Sequence, residues 1–415
     1  MSKTEKATGS RSDAARRPAA AVSARRIATD AEAIAAATAL ADVLHPQAAQ
    51  RDRERLLPWD EIEAYSASGL GAITVPKAYG GPELSFVTLV KVFEILCAAD
   101  PSAGQIPQNH FGVLALLRDL GSQEQKTRFY ADILRGERIG NAGPERGRNM
   151  INHVTTRLTA TADGLRLTGR RFYSTGALFA HWIPTRALDD EGRAVQVWAR
   201  HDAPGVTVID DWSSFGQRTT ASGTVEFDAV PVEPIQVLPV WQAADKPGLW
   251  GPISQIIQAA IDSGIARAAI DDATAFVRDR TRPWMDSGLE RASDDPTIIH
   301  EIGHLETEYQ AAQALLHHAA AVLDELNAVP VTAQTSARAS VAVAEAKILT
   351  TEIALEASEK LFDLAGSSAT RAAHALDRHW RNARVHTLHD PVRWKYHLLG
   401  NYYLNGAYPA RHQWN

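Results

Sequence analysis

The sequence predicts a mainly helical α+β chain of three successive lobes: an N-terminal helical domain, a central antiparallel β domain and a C-terminal four-helix bundle. Three observations predict it. Apolar residues recur every three or four positions up to about Arg135, at every second position between about Gly140 and Pro239, and again at helical spacing from Trp250 onward. These switches divide the chain into a disordered tail at 1–26, a helical domain at 27–138, a β domain at 139–245 and a helical bundle at 246–415.

From Met1 to Arg26, Lys3, Lys6, Arg11, Arg16, Arg17, Arg25 and Arg26 stand among Ala, Ser and Thr. That is the composition of a solvated tail, and it lacks the apolar centre of a secretory signal. Pro58-Trp59-Asp60-Glu61 reads as a helix start followed by Ile62 and Tyr65, and Gly80-Gly81-Pro82 breaks the helical pattern. Phe86, Leu89, Val90, Phe93 and Leu96 then share one buried face. In the second lobe Val154, Thr156, Leu158 and Ala160 alternate up to the hairpin turn Asp163-Gly164, after which Leu165 and Leu167 continue. Val195, Val197 and Ala199 follow a turn at Asp190-Glu191-Gly192, and the pairs Val206/Val208 and Val225/Phe227 keep the period of two. In the third lobe Ile257, Ile261, Ile265, Ala269 and Phe276 form a stripe interrupted by Gly264, where a second helix can approach at a propensity cost of ~1 kcal/mol. Ile302, Leu305, Tyr309, Ala312 and Leu316 mark a second helix, and Val341, Ile348, Leu355 and Phe362 a third. Arg371 to Val385 is expected to form the fourth.

Composition excludes several classes of function. With 43 Lys+Arg against 49 Asp+Glu the net charge is 43 − 49 = −6, which argues against a basic nucleic-acid binder. Cys97 is the only cysteine, so no intrachain disulfide or thiolate metal cage can form. No uncharged apolar run reaches the ~18 residues a membrane helix needs. The expectation is a cytoplasmic protein with neither a nucleic-acid nor a membrane partner.

Two motifs compete for attention. His300-Glu301-Ile302-Gly303-His304 has the H-E-x-x-H form of a zinc peptidase, but Thr307 and Gln310 supply no third ligand and the stripe of Ile299, Ile302 and Leu305 runs between the histidines. No metal is expected. No G-x-G-x-x-G fingerprint lies between a strand and a helix, so a redox function here needs reducing equivalents from another protein. More specific is the strand end Arg170-Arg171-Phe172-Tyr173-Ser174-Thr175-Gly176, taken together with the C-terminal segment Asp377 to Pro391.

The lobe order and these two segments resemble the acyl-CoA dehydrogenase superfamily. Within it, Gln105-Ile106-Pro107-Gln108-Asn109-His110-Phe111, Thr219-Thr220-Ala221-Ser222-Gly223-Thr224-Val225, Arg280-Thr281-Arg282-Pro283-Trp284 and His386-Thr387-Leu388-His389-Asp390-Pro391 are similar to the sulfur-acquisition (sulfone-utilisation) oxidoreductases, relatives of dibenzothiophene monooxygenase. The resemblance runs from about Ala31 to Asn415. It implies an acyl-CoA dehydrogenase-like fold, a homotetramer and a flavin cofactor.

In the dehydrogenases a glutamate in this C-terminal segment takes the α-proton of an acyl thioester. Here the position falls on Asp390, one methylene shorter and followed by Pro391, while Gly251 to Ile265 offers no glutamate instead. Histidines surround it. By the resemblance His386 and His389 face the flavin, Ser174 lies at its N5 edge, Asn141 enters on the loop before the sheet, and His110 walls the pocket. These five are the expected catalytic residues, with His386 alternatively capping its helix. Asn141, Phe172, Ser174 and Trp212 are the expected cofactor contacts within the subunit. Arg280 and Arg282 match the segment that reaches a neighbour's flavin phosphate, and Gly366-Ser367 the adenine contact of FAD. Leu364-Ala365 before that contact departs from the FAD pattern and favours FMN, with FAD the alternative cofactor. The expected function is the oxygenase of a two-component system, using FMNH₂ from an NADH-dependent flavin reductase and O₂ to oxygenate a small organosulfur compound through a C4a-peroxyflavin. An FAD-dependent acyl-CoA dehydrogenase with Asp390 as base is the alternative, and a zinc peptidase or a non-catalytic helical scaffold stand outside the class.

Overall fold

Thr29 opens the first helix: its hydroxyl accepts the Glu32 N–H, and the Glu32 carboxylate accepts the Ala28 N–H at 2.8 Å. The computed structural model describes residues 16–20, 23–147 and 153–415. Its first lobe holds α1 (Asp30–Leu44), α2 (Ala48–Glu54), α3 (Trp59–Ser68), α4 (Phe86–Ala99), α5 (Pro101–Gln105), α6 (Gln108–Leu120) and α7 (Gln123–Leu134). Phe86, Leu89, Val90, Phe93 and Leu96 are buried on α4, as their spacing predicts.

The second lobe is one seven-stranded sheet in the order β5-β6-β2-β1-β3-β4-β7. Its strands are β1 (Arg157–Thr161), β2 (Gly164–Arg171), β3 (Trp182–Leu188), β4 (Ala194–Arg200), β5 (Val206–Ile209), β6 (Thr224–Val232) and β7 (Val237–Leu238). β1 and β2 turn over at Asp163-Gly164, where Gly164 takes φ +104, a conformation side chains resist. The sheet departs from the expected antiparallel pattern at one seam. β1 meets β3 in parallel through Arg157 and Leu188, because the chain from Arg171 to Trp182 crosses over instead of turning back.

α8 (Trp250–Asp279), α9 (Pro296–Asn327) and α10 (Ala333–Ala365) form the long helices of the third lobe. α4 of the first lobe packs onto α8 at Gly264, where a Cβ would lie 2.7 Å from the Cys97 Cβ and 2.8 Å from the Glu94 carbonyl oxygen. Gly264→Ala should therefore cost about 1–3 kcal/mol of stability despite its better helix propensity, read as a lower urea midpoint at unchanged slope. The fourth helix is shorter than expected. α11 spans Asp377–His386, because the chain before it turns through Ala375 at φ 51, and a further helix, α12 (Arg393–Asn405), follows.

The expected free tail is corrected for its described part. Ala24 is buried, the Arg25 N–H bonds the Ala67 carbonyl at 2.9 Å, and His181 Nε2 donates to the Ala19 carbonyl at 2.9 Å. Residues 1–15, which carry Lys3, Lys6 and Arg11, lie outside the described residues. Among the described residues no helix is long and apolar enough to cross a membrane.

Candidate active site

A cavity of about 660 Å³ opens where the three lobes meet. α6 contributes Asn109 and Gly112, the loop into the sheet Asn141, the end of β2 Phe172 and Tyr173, and α8 Ser254 and Gln258. Trp212 covers one side, its ring centroid 6.3 Å from that of Phe172, with its indole N–H held by the Gln217 carbonyl at 2.9 Å.

The loop carrying Trp212 is fastened to α11. The Gln217 N–H donates to Asn382 Oδ1 at 2.7 Å, and Arg381 Nη1 donates to the Phe215 carbonyl at 2.7 Å. A Cβ on Gly216 would stand 1.9 Å from the Arg381 carbonyl oxygen, so only glycine admits this approach. Arg381 also pairs with Asp52 on α2 and Asp377. One helix thus sets both the aromatic cover and the histidines that follow it.

His386 and His389 both line the cavity. The His386 ring is fully buried, its Nδ1 bonded to Asp262 Oδ1 at 2.5 Å and its Nε2 to Gln258 Oε1 at 2.9 Å. Asp262 Oδ2 accepts from Lys347 Nζ at 2.6 Å and Thr351 Oγ1 at 2.9 Å. Burial pushes the Asp262 carboxyl up, but Lys347 and His386 outweigh it and hold the group well below the usual carboxylate range. His389 has no such partner. Its side chain is exposed where it lines the open cavity, yet desolvation by the surrounding protein, reinforced by His386 and Lys347, pulls its pKa down to about 4 against the pull of Asp390 and Asp262. It is a neutral imidazole at pH 7.

Asp390, at the position of the dehydrogenase base, does not line the cavity. It is buried in an ion pair with Lys395 at 3.0 Å, and Lys395 also holds Asn415 Oδ1 at 3.3 Å and the Trp414 carbonyl. The C-terminal residues Gln413 and Trp414 close the wall in front of it.

Two expected catalytic residues sit outside the wall. His110 is 1% exposed: Nδ1 accepts the Ile139 N–H at 3.1 Å, so Nε2 donates to the Gly71 carbonyl at 2.8 Å. The α6 face toward the cavity belongs to Gln108, Asn109, Gly112 and Val113 instead. Burial and Arg138 draw the His110 pKa down to about 4, against the Gly71 carbonyl. The unfolded chain therefore takes up this proton first, and stability falls as pH drops from 6.5 toward 4. Urea unfolding should show about 2 kcal/mol of the loss between pH 7 and pH 5 disappearing in His110→Gln. Ser174 is likewise buried and does not line the cavity, and its Oγ has no hydrogen-bond partner among the described residues. Its backbone N–H bonds the Gly223 carbonyl.

Arg280 and Arg282 are exposed at the C-terminal end of α8, and Gly366 and Ser367 follow α10. The two segments meet on the surface, where Thr281 Oγ1 donates to the Ala365 carbonyl at 3.1 Å, and neither lines this chain's cavity. His300 and His304 are exposed on α9 and approach different carboxylates, Glu301 and Glu356. No metal-competent group of three ligands occurs among the described residues.

Sequence reasoning missed the buried Asp262, Lys347 and Gln258 behind His386, and the cavity residues Gln105, Gln108, Tyr173, Arg186 and Gln217. A polar residue on an otherwise apolar helix face, as at Asp262, is the signal that could have found the first group. The amides carry information about a ligand. Gln105 Oε1, Gln108 Oε1 and both ends of the Gln217 amide are buried at the cavity without a partner among the described residues. Unsatisfied neutral groups beside aromatic walls suit a flat heterocycle with a polar edge, so the site fits a flavin ring.

The family patterns "Acyl-CoA dehydrogenase, N-terminal domain" and "Acyl-CoA dehydrogenase, C-terminal domain" match residues 30–137 and 256–394. A dibenzothiophene monooxygenase of Rhodococcus erythropolis is 33% identical over 400 residues, spanning 92% of this chain and 96% of that protein. FMN-bound TdsC from Paenibacillus sp. A11-2 superposes with a TM-score of 0.88 at 31% identity, covering 92% of this chain and 100% of that one. The methanesulfinate monooxygenase MsuC of Pseudomonas fluorescens does so at 0.85 with 28% identity, covering 92% and 99%. The chain belongs to the acyl-CoA dehydrogenase superfamily, among the relatives of the dibenzothiophene monooxygenases.

Proposed function

We propose that this protein is the oxygenase of a two-component flavin system, taking FMNH₂ from a separate NADH-dependent reductase and inserting one atom of O₂ into a small organosulfur compound. The observation that carries this reading is the exchange of groups at the cavity wall. The only acid at the dehydrogenase position is neutralised by Lys395 away from the cavity, and a neutral His389 stands in the wall. The likeness to an FMN-bound protein and to two sulfur monooxygenases supports it.

Reduced FMN, when bound, supplies the two electrons that let one oxygen atom leave as water while the other goes to sulfur. Phe172, Trp212 and the Gln217 amide would hold the ring, and Asn141 would donate to its edge without adding charge. His389 Nε2 or Nδ1 would hold the proton that oxygen chemistry requires, with His386 fixed behind it by Asp262. Trp212 and Trp414 line the pocket and would limit its access to water once the flavin is bound. The flavin phosphate would meet Arg280 and Arg282 of a neighbouring subunit in a homotetramer, a reading supported by their exposure and by the exposed aromatic face of Trp394, Tyr396 and Tyr403. With no membrane helix among the described residues, we place the enzyme in the cytoplasm.

Purified protein should take up O₂ with methanesulfinate or dibenzothiophene only when FMNH₂ is supplied, and an acyl-CoA should leave its bound flavin oxidised under anaerobic conditions. Flavin bleaching by butyryl-CoA without oxygen would reverse the reading in favour of thioester dehydrogenation.

A further inference from the structure

Arg186 lies on β3 opposite Gln196 of β4, and both side chains line the cavity. Its guanidinium forms no ion pair and no side-chain hydrogen bond among the described residues, although burial is strong enough to pull its pKa down. The neighbouring charges do not compensate it. Arg171, at the end of β2, is a second cation, bonded through Nε to Thr185 Oγ1 at 3.1 Å and paired with Glu145 at 3.4 Å. Glu145 is the sole acid of this group, and it already accepts the backbone N–H and hydroxyl groups of Thr155 and Thr156. Burial pushes the Glu145 carboxyl up, but these bonds hold it at about 2. On the side of the C-terminal segment the neighbouring titratable group is His412, whose pKa is lowered by burial, with Lys395 and Arg186 adding to the effect. Among the described residues of this group, two arginines against one committed carboxylate leave a surplus of one positive charge at the cavity wall. An enclosed cation without a counter-ion is costly, and a ligand anion removes that cost.

We infer that Arg186 is an anion-binding subsite and that the substrate is an organosulfur monoanion of the sulfinate or sulfonate class; this rests on the oxygenase reading above. A guanidinium presents two parallel N–H donors that match the paired oxygens of such a group. A surplus of one charge matches a monoanion better than a flavin phosphate, which brings nearly two negative charges near neutral pH. Gln196 stands across the strand pair as a neutral neighbour for the remaining oxygen.

The test compares wild type with Arg186→Gln and Arg186→Lys, each loaded with FMN. In steady-state oxygen uptake with FMNH₂, Arg186→Gln should raise the KM for methanesulfinate at least about tenfold, and Arg186→Lys should recover part of it. The Kd for FMN should stay within about twofold, and the melting temperature should equal or exceed that of wild type, since an uncompensated buried cation has been removed. Calorimetric binding of methanesulfonate, present in wild type and lost in Arg186→Gln, reads the subsite without turnover. Hence a protein that shows no oxygen uptake at all would refute the oxygenase reading while the subsite is still decided by calorimetry. An unchanged KM together with unchanged methanesulfonate binding would overturn the proposal. So would an FMN Kd that weakens in step with KM, which would assign Arg186 to the flavin phosphate, or a variant that melts well below wild type.

Discussion

His389→Ala should keep FMN binding but form product from reduced flavin about 100-fold more slowly, with the missing oxygen appearing as hydrogen peroxide. The His389 ring lines the cavity and makes no hydrogen bond among the described residues, and its pKa near 4 keeps it neutral across the working range. A group that must take up and return one proton is best left uncommitted by its own scaffold, and His386, bonded at both nitrogens, is not. The wild-type ratio of product to consumed FMNH₂ should therefore be flat from about pH 6 to pH 9 as far as His389 is concerned, because its protonation begins only as pH approaches 4. Simultaneous assays of product and peroxide check this. Unchanged coupling in His389→Ala would remove the residue from the chemistry.

Lys347→Met should lower the free energy of unfolding by about 3–5 kcal/mol, the range expected when one member of a buried ion pair is deleted. Lys347 is 2% exposed and Asp262 fully buried, so neither can turn to water when its partner is lost. Asp262 would keep only Thr351 and His386, and the cluster would change its net charge within the bundle core. The double variant Asp262→Asn, Lys347→Met should lose less than the sum of the two single changes, since their interaction is counted in both. Urea midpoints and slopes of the four proteins measure the coupling. A Lys347→Met protein within about 1 kcal/mol of wild type would show that the pair does not hold the bundle together.

Much of the fold was legible because burial leaves a period in the sequence. The stripe through Ile257, Ile261 and Ile265 is buried on α8, and Gly264 meets Cys97 and Glu94 of α4 across the first lobe, as a missing side chain at a helix crossing suggests. The hairpin at Asp163-Gly164 followed from turn chemistry alone. Five of the expected site residues, Asn141, Phe172, Trp212, His386 and His389, are brought by the fold to one cavity. Helical spacing could not decide His110. It assigns a residue to a buried face, and here that face is the one turned to Gly71 and Ile139, away from the cavity. The carboxylate of Asp262 and the ammonium of Lys347 are 85 positions apart in sequence, and their meeting depends on the packing of α8 against α10, which no local pattern records. Arg186 was hidden for a related reason. In an alternating strand a charged residue reads as facing solvent, but this sheet has its second face against the cavity. The first fifteen residues aside, the tail was misjudged because its composition is polar, yet Ala24 and the backbone of Ala19 and Arg25 find partners on the folded body.

Oxygen transfer from O₂ to sulfur is read isotopically. The protein, supplied with FMNH₂ and methanesulfinate under ¹⁸O₂, should yield methanesulfonate carrying one heavy oxygen per molecule formed, with none acquired from H₂¹⁸O. Product oxygen drawn from water, or turnover of an acyl-CoA with no oxygen consumed, would contradict it.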